Sequence, residues 1–204
     1  EHLKDFPGQH DALRYVLCAN APETKDNDFT WKDFQDRNNS ELVAIFGNFV
    51  NRTFVLMHKL CKGKVPPLHD DVFDEKDKAL LGEIQNSKLK IENSLEEYKF
   101  RDALFEVIDL ARKGNKYMQD KQPWIVARQT SENGELTVEA QNKVDNCLHV
   151  CLQLCANLAI FINPFLPFTA KKMIHMMKVV DKMLDWDNAG KSKLLSIGYS
   201  LRAP

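Results

Sequence analysis

Residues 136–162 constrain this chain more than any other stretch. The second half of the run carries Leu148, Val150, Leu152, Leu154, Leu158 and Phe161 and is apolar nearly all round. A helix that is apolar all round has no face to give to water and belongs at the centre of a bundle. The rest of the pattern supplies its neighbours. Leu42, Ile45, Phe46, Phe49, Val50, Val55 and Leu56 recur at three- and four-residue spacing and predict a helix over 39–61, with Gly63 as its C-cap. Further helices are expected over 70–81, 84–95 and 97–118, the last with Phe100, Leu104, Val107, Ile108 and Ala111 turned inward. A short turn and helix over 120–128 carries Trp124, and a loop follows over 130–134. A Met-rich helix spans 169–180 after the break Asn163-Pro164-Phe165-Leu166-Pro167, and the remainder reads as an irregular tail. Residues 1–20 hold a short amphipathic helix with Leu13, Val16 and Leu17 on its apolar face, and Thr30 with Asp33 reads as the cap of the next. With only 8 Gly and 8 Pro in 204 residues, a turn-rich β protein is disfavoured. The expected fold is all-α, an antiparallel bundle of about five main helices.

The formal charge of −1 excludes a protein that binds nucleic acid by bulk charge, so any such contact must come from local patches. No secretory signal opens the chain, and no apolar run is read as reaching the roughly 18 residues of a membrane span. The five cysteines are odd in number and read as free thiols in a reducing, cytoplasmic setting. Cys147, Cys151 and Cys155 fall at four-residue steps on the apolar helix, where cysteine packs as a small hydrophobe; no metal site is assigned. Gly190-Lys191-Ser192 ends like a phosphate loop, but Asp185 stands where the earlier glycine is needed. The chain starts without Met and reads as part of a longer protein.

Two groups of residues remain. Trp124 follows Pro123 and the basic, polar stretch Arg112, Lys113, Asn115, Lys116 and Lys121, at a helix entrance. An indole there either packs into a helix junction or offers a flat face on which an unpaired base stacks. Asn48 and Arg52 lie four apart, hence on one helix face, and both carry planar arrays suited to base edges. Their bland alternative is an Asn facing solvent and an Arg paired with Asp36 or Glu41.

Six segments, in order, resemble one family. They are Asp11-Ala12-Leu13-Arg14-Tyr15, Arg37-Asn38-Asn39-Ser40-Glu41-Leu42-Val43, Gly47-Asn48-Phe49-Val50-Asn51-Arg52, Asn115-Lys116-Tyr117, Gln122-Pro123-Trp124 and Asn163-Pro164-Phe165-Leu166-Pro167. Together they are similar to the part of methionyl-tRNA synthetases that follows the catalytic domain. The resemblance implies a bundle of the class I synthetase anticodon-binding type. It divides the chain into a connector over 1–30, the anticodon-binding helices over 31–180, and a tail over 181–204 that packs back or leads to further domains. Its partners would be a tRNA anticodon loop reading CAU and the catalytic domain of the same parent chain, with no membrane. Trp124 would stack on the first anticodon base, Asn48 and Arg52 would read that cytosine and its neighbour, and Pro123 would shape the turn. Ala44 departs from the Asn common at that position in bacterial relatives, which puts any contact from that turn in doubt. The parent would be a methionine–tRNA ligase using ATP and Mg. The His-x-Gly-His and Lys-Met-Ser-Lys-Ser signatures are absent here, so this stretch alone has no cofactor and no catalytic residue, and should not charge tRNA.

Lys59, Lys62, Lys64, Lys113, Lys116, Lys121 and Arg128 are candidates for phosphate contacts, each beside the reading of a solvated surface charge. Two other functions fit the sequence. One is a protein-interaction module using Met173, Met176 and Met177 as an adaptable surface. The other is the anticodon-binding domain of a related class I synthetase.

Overall fold

The structure is a computed structural model that describes residues 4, 7–23, 26–129 and 136–203. Its helices are α1 (His10–Ala19), α2 (Trp31–Arg37), a π-helical stretch Asn38–Gly47 running directly into α3 (Asn48–Cys61), α4 (Glu75–Glu96), α5 (Phe100–Lys121), the short α6 (Pro123–Val126), α7 (Val138–Ile162) and α8 (Pro167–Met177). The all-α bundle is as expected. The loop expected over 130–134 lies outside the described residues.

α7 is the axis. Thr137 caps it by accepting from the Ala140 amide, and α3, α4, α5 and α8 pack around it, leaving its last nineteen residues, 144–162, all buried. Its composition differs from the expectation in one respect. Asp145, Asn146, His149, Gln153 and Asn157 are polar, buried and aligned along one side. They serve chain that has no ladder of its own. Asn146 accepts from the His69 amide (2.7 Å) and donates to the His69 carbonyl (2.8 Å). The His149 ring meets the Pro66 carbonyl at 2.8 Å. Gln153 accepts from the Leu194 amide (2.7 Å) and donates to the Leu195 carbonyl (2.9 Å), while Asn157 does the same for Gly190 and Lys191. Buried backbone polar groups need partners, and here side chains of the central helix provide them. The stretch expected as an irregular tail is therefore anchored. The length and mean hydropathy of α7 also suffice for a membrane span, contrary to the sequence expectation, but that window is wholly buried inside the bundle.

Other departures have simple causes. The two helices expected over 70–81 and 84–95 are one, because Asp74 and Asp77 form a reciprocal capping box that starts α4 at Glu75, and nothing crowds Gly82. Residues 70–72 form only a single 3-10 turn. Leu17 (54% exposed), Val55 (43%) and Phe100 (41%) face outward, so three positions of the predicted apolar faces fall off the buried stripe. Met173 and Met177 are buried, which removes most of the methionine surface proposed for a protein partner. α3 ends with Lys62, not Gly63, as its left-handed C-cap. α1 docks onto the turn after α7: Arg14 Nε donates to the Phe165 carbonyl (2.7 Å) and the Asp11 carboxylate accepts from the Thr169 amide (2.6 Å).

α3, α5 and α7 meet at Gly114. A Cβ there would lie 2.6 Å from Leu154 Cδ2 and 2.7 Å from Phe49 Cε2. Gly114→Ala is expected to lower stability by ~1–3 kcal/mol in denaturant titrations, despite alanine's better helix propensity. A second expectation concerns acid. Burial holds the His149 imidazole below its usual range, so the unfolded chain takes up a proton before the folded one does. Its contribution is complete above about pH 6.5 and is lost as pH falls through the lower folded value. His149→Asn should therefore flatten the decline of the urea midpoint between about pH 7 and roughly pH 5.

Candidate nucleic-acid interface

The Pro-Trp turn is set by the end of α5. Lys121 closes that helix, Gln122 takes a left-handed backbone (φ 45°), and the buried Pro123 opens α6 at a position that needs no amide donor. Lys121 fixes the junction from below. Its ammonium lies 2.8 Å from Asp74 and 2.7 Å from Asp77 at the start of α4, and Asp77 also accepts from the Tyr117 hydroxyl. Burial pulls the Lys121 pKa down, but the two carboxylates outweigh it and hold the group above its ordinary value. Trp124 emerges from this turn half-buried, its inner part packed against the core.

α3 brings the other residues. Arg52 carries its guanidinium over the indole, with Cζ 4.1 Å from the ring centroid. It makes no ion pair among the described residues, so pairing with Asp36 or Glu41 does not occur; Glu41 is taken instead by Tyr15 and Arg37. Asn48, one turn earlier, is exposed and donates to Asn115 Oδ1 at 3.3 Å. Asn115 also donates to the Ile45 carbonyl (2.9 Å) inside the π-helical stretch, tying the wider turn to α5. Asn115 stands in the Asn115-Lys116-Tyr117 motif, and no local pattern signals either the π-helix or this tie. Ala44 is exposed on the same stretch. With Val43, Gly47, Asn48 and Asn51 it forms one wall of a groove of about 770 Å³, and Thr169, Lys172, Met173 and Met176 form the other. Trp31 stands apart on α2, 56% exposed and edge-on to Phe29 and Phe34.

The basic candidates divide sharply. Lys113 pairs with Glu83 (2.7 Å), Lys116 with Asp120 (2.8 Å), and Lys121 with Asp74 and Asp77 at 15% side-chain exposure. The pair with the buried Asp77 is structural, so the Lys121 ammonium is not available for phosphate contact. Lys59, Lys62, Lys64 and Arg128 are exposed and carry no ion pair among the described residues. Burial pushes the Cys155 thiol up to about 12 and raises Cys151 as well, so these cysteines stay protonated within the core. No group of three His, Cys, Asp or Glu side chains among the described residues could hold a metal ion.

Comparison with known proteins bears on this arrangement. Residues 68–204 match the family model of the anticodon binding domain of methionyl tRNA ligase, and residues 1–54 match that of class I tRNA synthetases (M). The chain is 49% identical over 201 residues to a methionine–tRNA ligase of Phocaeicola vulgatus, covering 98% of this chain and 28% of that protein. It is 48% identical over 204 residues to that of Bacteroides fragilis, again spanning 28% of the relative's length. Among solved structures, methionyl-tRNA synthetase of Mycobacterium tuberculosis in complex with methionyl-adenylate superposes with a TM-score of 0.85 at 23% identity, over 95% of this chain and 36% of that one. At that identity the likeness carries the fold.

Asn115→Leu removes the donor to the Ile45 carbonyl and the acceptor for Asn48. The expected cost is ~1–3 kcal/mol in urea unfolding, with faster amide exchange concentrated in residues 38–47.

Proposed function

The chain belongs to the methionyl-tRNA ligase anticodon-binding family, and from that premise we propose that it recognises the CAU anticodon loop of a tRNA on behalf of a catalytic domain elsewhere in a methionine–tRNA ligase. The parent would attach methionine to its tRNA with ATP and Mg in the cytoplasm. The residues of this chain offer those groups no binding motif, and their task is recognition alone.

The observation that carries the reading is the stack of Arg52 on Trp124, with Asn48 one turn away on the same helix face. A guanidinium is flat and covers the indole as a base would. Its cation–π contact is worth ~0.5–1 kcal/mol at an exposed site. Stacking of a base returns ~1–3 kcal/mol. Exchange of the one for the other is therefore favourable, and Arg52, whose donors the ring does not engage, turns them to the cytosine O2 and N3 acceptors. Asn48 donates its amide hydrogen to Asn115, which leaves its carbonyl oxygen to accept from the cytosine amine. Uracil presents an oxygen where cytosine presents that amine, so a UAU loop leaves the Asn48 acceptor facing another acceptor. A base in an open loop is already unpaired, so lifting it costs little. Lys59 and Arg128, exposed and without an ion pair among the described residues, are the phosphate contacts in this reading.

The test is a binding titration with CAU and UAU anticodon stem-loops. Trp124→Ala should weaken CAU binding ~5- to 150-fold, the loss of one stacked base, whereas Trp31→Ala should leave it unchanged. Equal losses from both tryptophans, or equal binding of the two loops, would refute the assignment.

A further inference from the structure

Away from the indole, three separate pieces of chain converge at the C-terminal ends of α3 and α8. Residues 198–202 cross both ends as a strap. The Leu201 amide donates to the Gly63 carbonyl (2.9 Å), the Arg202 amide to the Met176 carbonyl (3.0 Å), and the Tyr199 hydroxyl to the Lys178 carbonyl (2.6 Å). Lys64 pairs with Ser200 in an isolated antiparallel bridge. The strap thereby gathers Lys62, Lys64, Lys178 and Arg202, all exposed and none with an ion pair among the described residues. The cations of α5 show the opposite arrangement, since Arg112, Lys113, Lys116 and Lys121 are each matched by a carboxylate.

A cation near a helix C-terminus is ordinary, because it complements the carbonyl end of the dipole. Two features go beyond that. Lys62 and Lys178 are both left-handed C-caps (φ 54° and 56°), a conformation that glycine takes without strain. Lys64 and Arg202 belong to no helix and owe their position to the strap. The cluster is also continuous with the site already described. Lys59 lies seven residues after Arg52, on the same side of α3, and Lys62 follows ~15 Å beyond Arg52 along the helix axis. Asn48 and Asn51 line the same groove as Met176, whose carbonyl holds the strap.

We infer that Lys59, Lys62, Lys64, Lys178 and Arg202 form a phosphate-binding face that holds the sugar-phosphate backbone of the same RNA whose loop reaches Trp124. This inference rests on the anticodon reading of Trp124, Asn48 and Arg52. The face supplies affinity without sequence information, and the Asn48–Arg52 pair supplies discrimination without much charge. Divided in this way, a chain with net charge −1 binds a polyanion through one local patch.

The test uses CAU and UAU stem-loops at about 50 mM and about 200 mM salt. A variant carrying Lys62→Gln, Lys64→Gln, Lys178→Gln and Arg202→Gln should bind both RNAs ~10-fold or more weakly at the lower salt, with a salt slope shallower by about two to four. Its CAU-to-UAU ratio should equal that of the wild type. An unchanged slope, with Trp124→Ala still costing binding, overturns the phosphate face and leaves the base site standing. A loss confined to CAU also overturns it, because the cations would then be acting through the base site. A wild-type chain with no salt-sensitive affinity for either RNA overturns both readings. Should the fourfold variant melt early, Lys64→Gln with Arg202→Gln, which touches neither helix cap, carries the same expectation at about half the change in slope.

Discussion

The polar side of α7 is the interaction on which the rest of the molecule depends. An irregular segment can be buried only if its amides and carbonyls are met, and each one left unmet costs ~1–3 kcal/mol. Asn146, His149, Gln153 and Asn157 meet those of residues 66–69 and 190–195 from inside the bundle. These bonds are directional, so they accept only one path for the chain, whereas an apolar surface would accept many. The strap and the left-handed end of α3 both follow from that path. The central helix therefore does two tasks with one sequence: its apolar sides hold other helices, and its polar side holds what is not helical.

The surface shows a comparable economy. Carboxylates of α4 and α5 neutralise most of the basic side chains near the Trp-bearing turn, and Lys121 is drawn down into a structural pair. Arg52 escapes this because its helix presents it to an aromatic ring, not to an acid. A guanidinium on an indole retains its hydrogen-bond donors, since the ring engages only its face. The residue is thereby kept both ordered and chemically available.

Much of this was legible in the sequence. Periodicity located the main helices, the density of apolar residues in 148–161 located the centre, and the four-residue step from Asn48 to Arg52 placed both on one side of α3. The misses have a common cause, in that they depend on partners distant along the chain. Lys121 and Lys59 look alike until the start of α4 delivers Asp74 and Asp77 to the former, while the latter has no ion pair among the described residues. The tail looks irregular until Gln153 and Asn157 are seen beneath it. Val55 and Phe100 share the apolar spacing yet face outward, because periodicity gives a stripe's direction but not its width. The π-helical stretch leaves no mark at all, since Leu42, Ile45 and Phe46 keep the three- and four-residue spacing of an ordinary helix.

That stretch carries a consequence for how the chain can vary. Residues 38–47 join α2 to the helix that bears Asn48 and Arg52 without any intervening loop. A loop would absorb a gained or lost residue; a continuous helix transmits it, turning everything downstream by ~100°. An alignment gap at this point would swing the amide and the guanidinium away from the indole while leaving the helix intact. Substitutions here are thus cheaper than length changes, and the spacing from Trp31 to Arg52 behaves as a gauge that sets the angular phase of the recognition face.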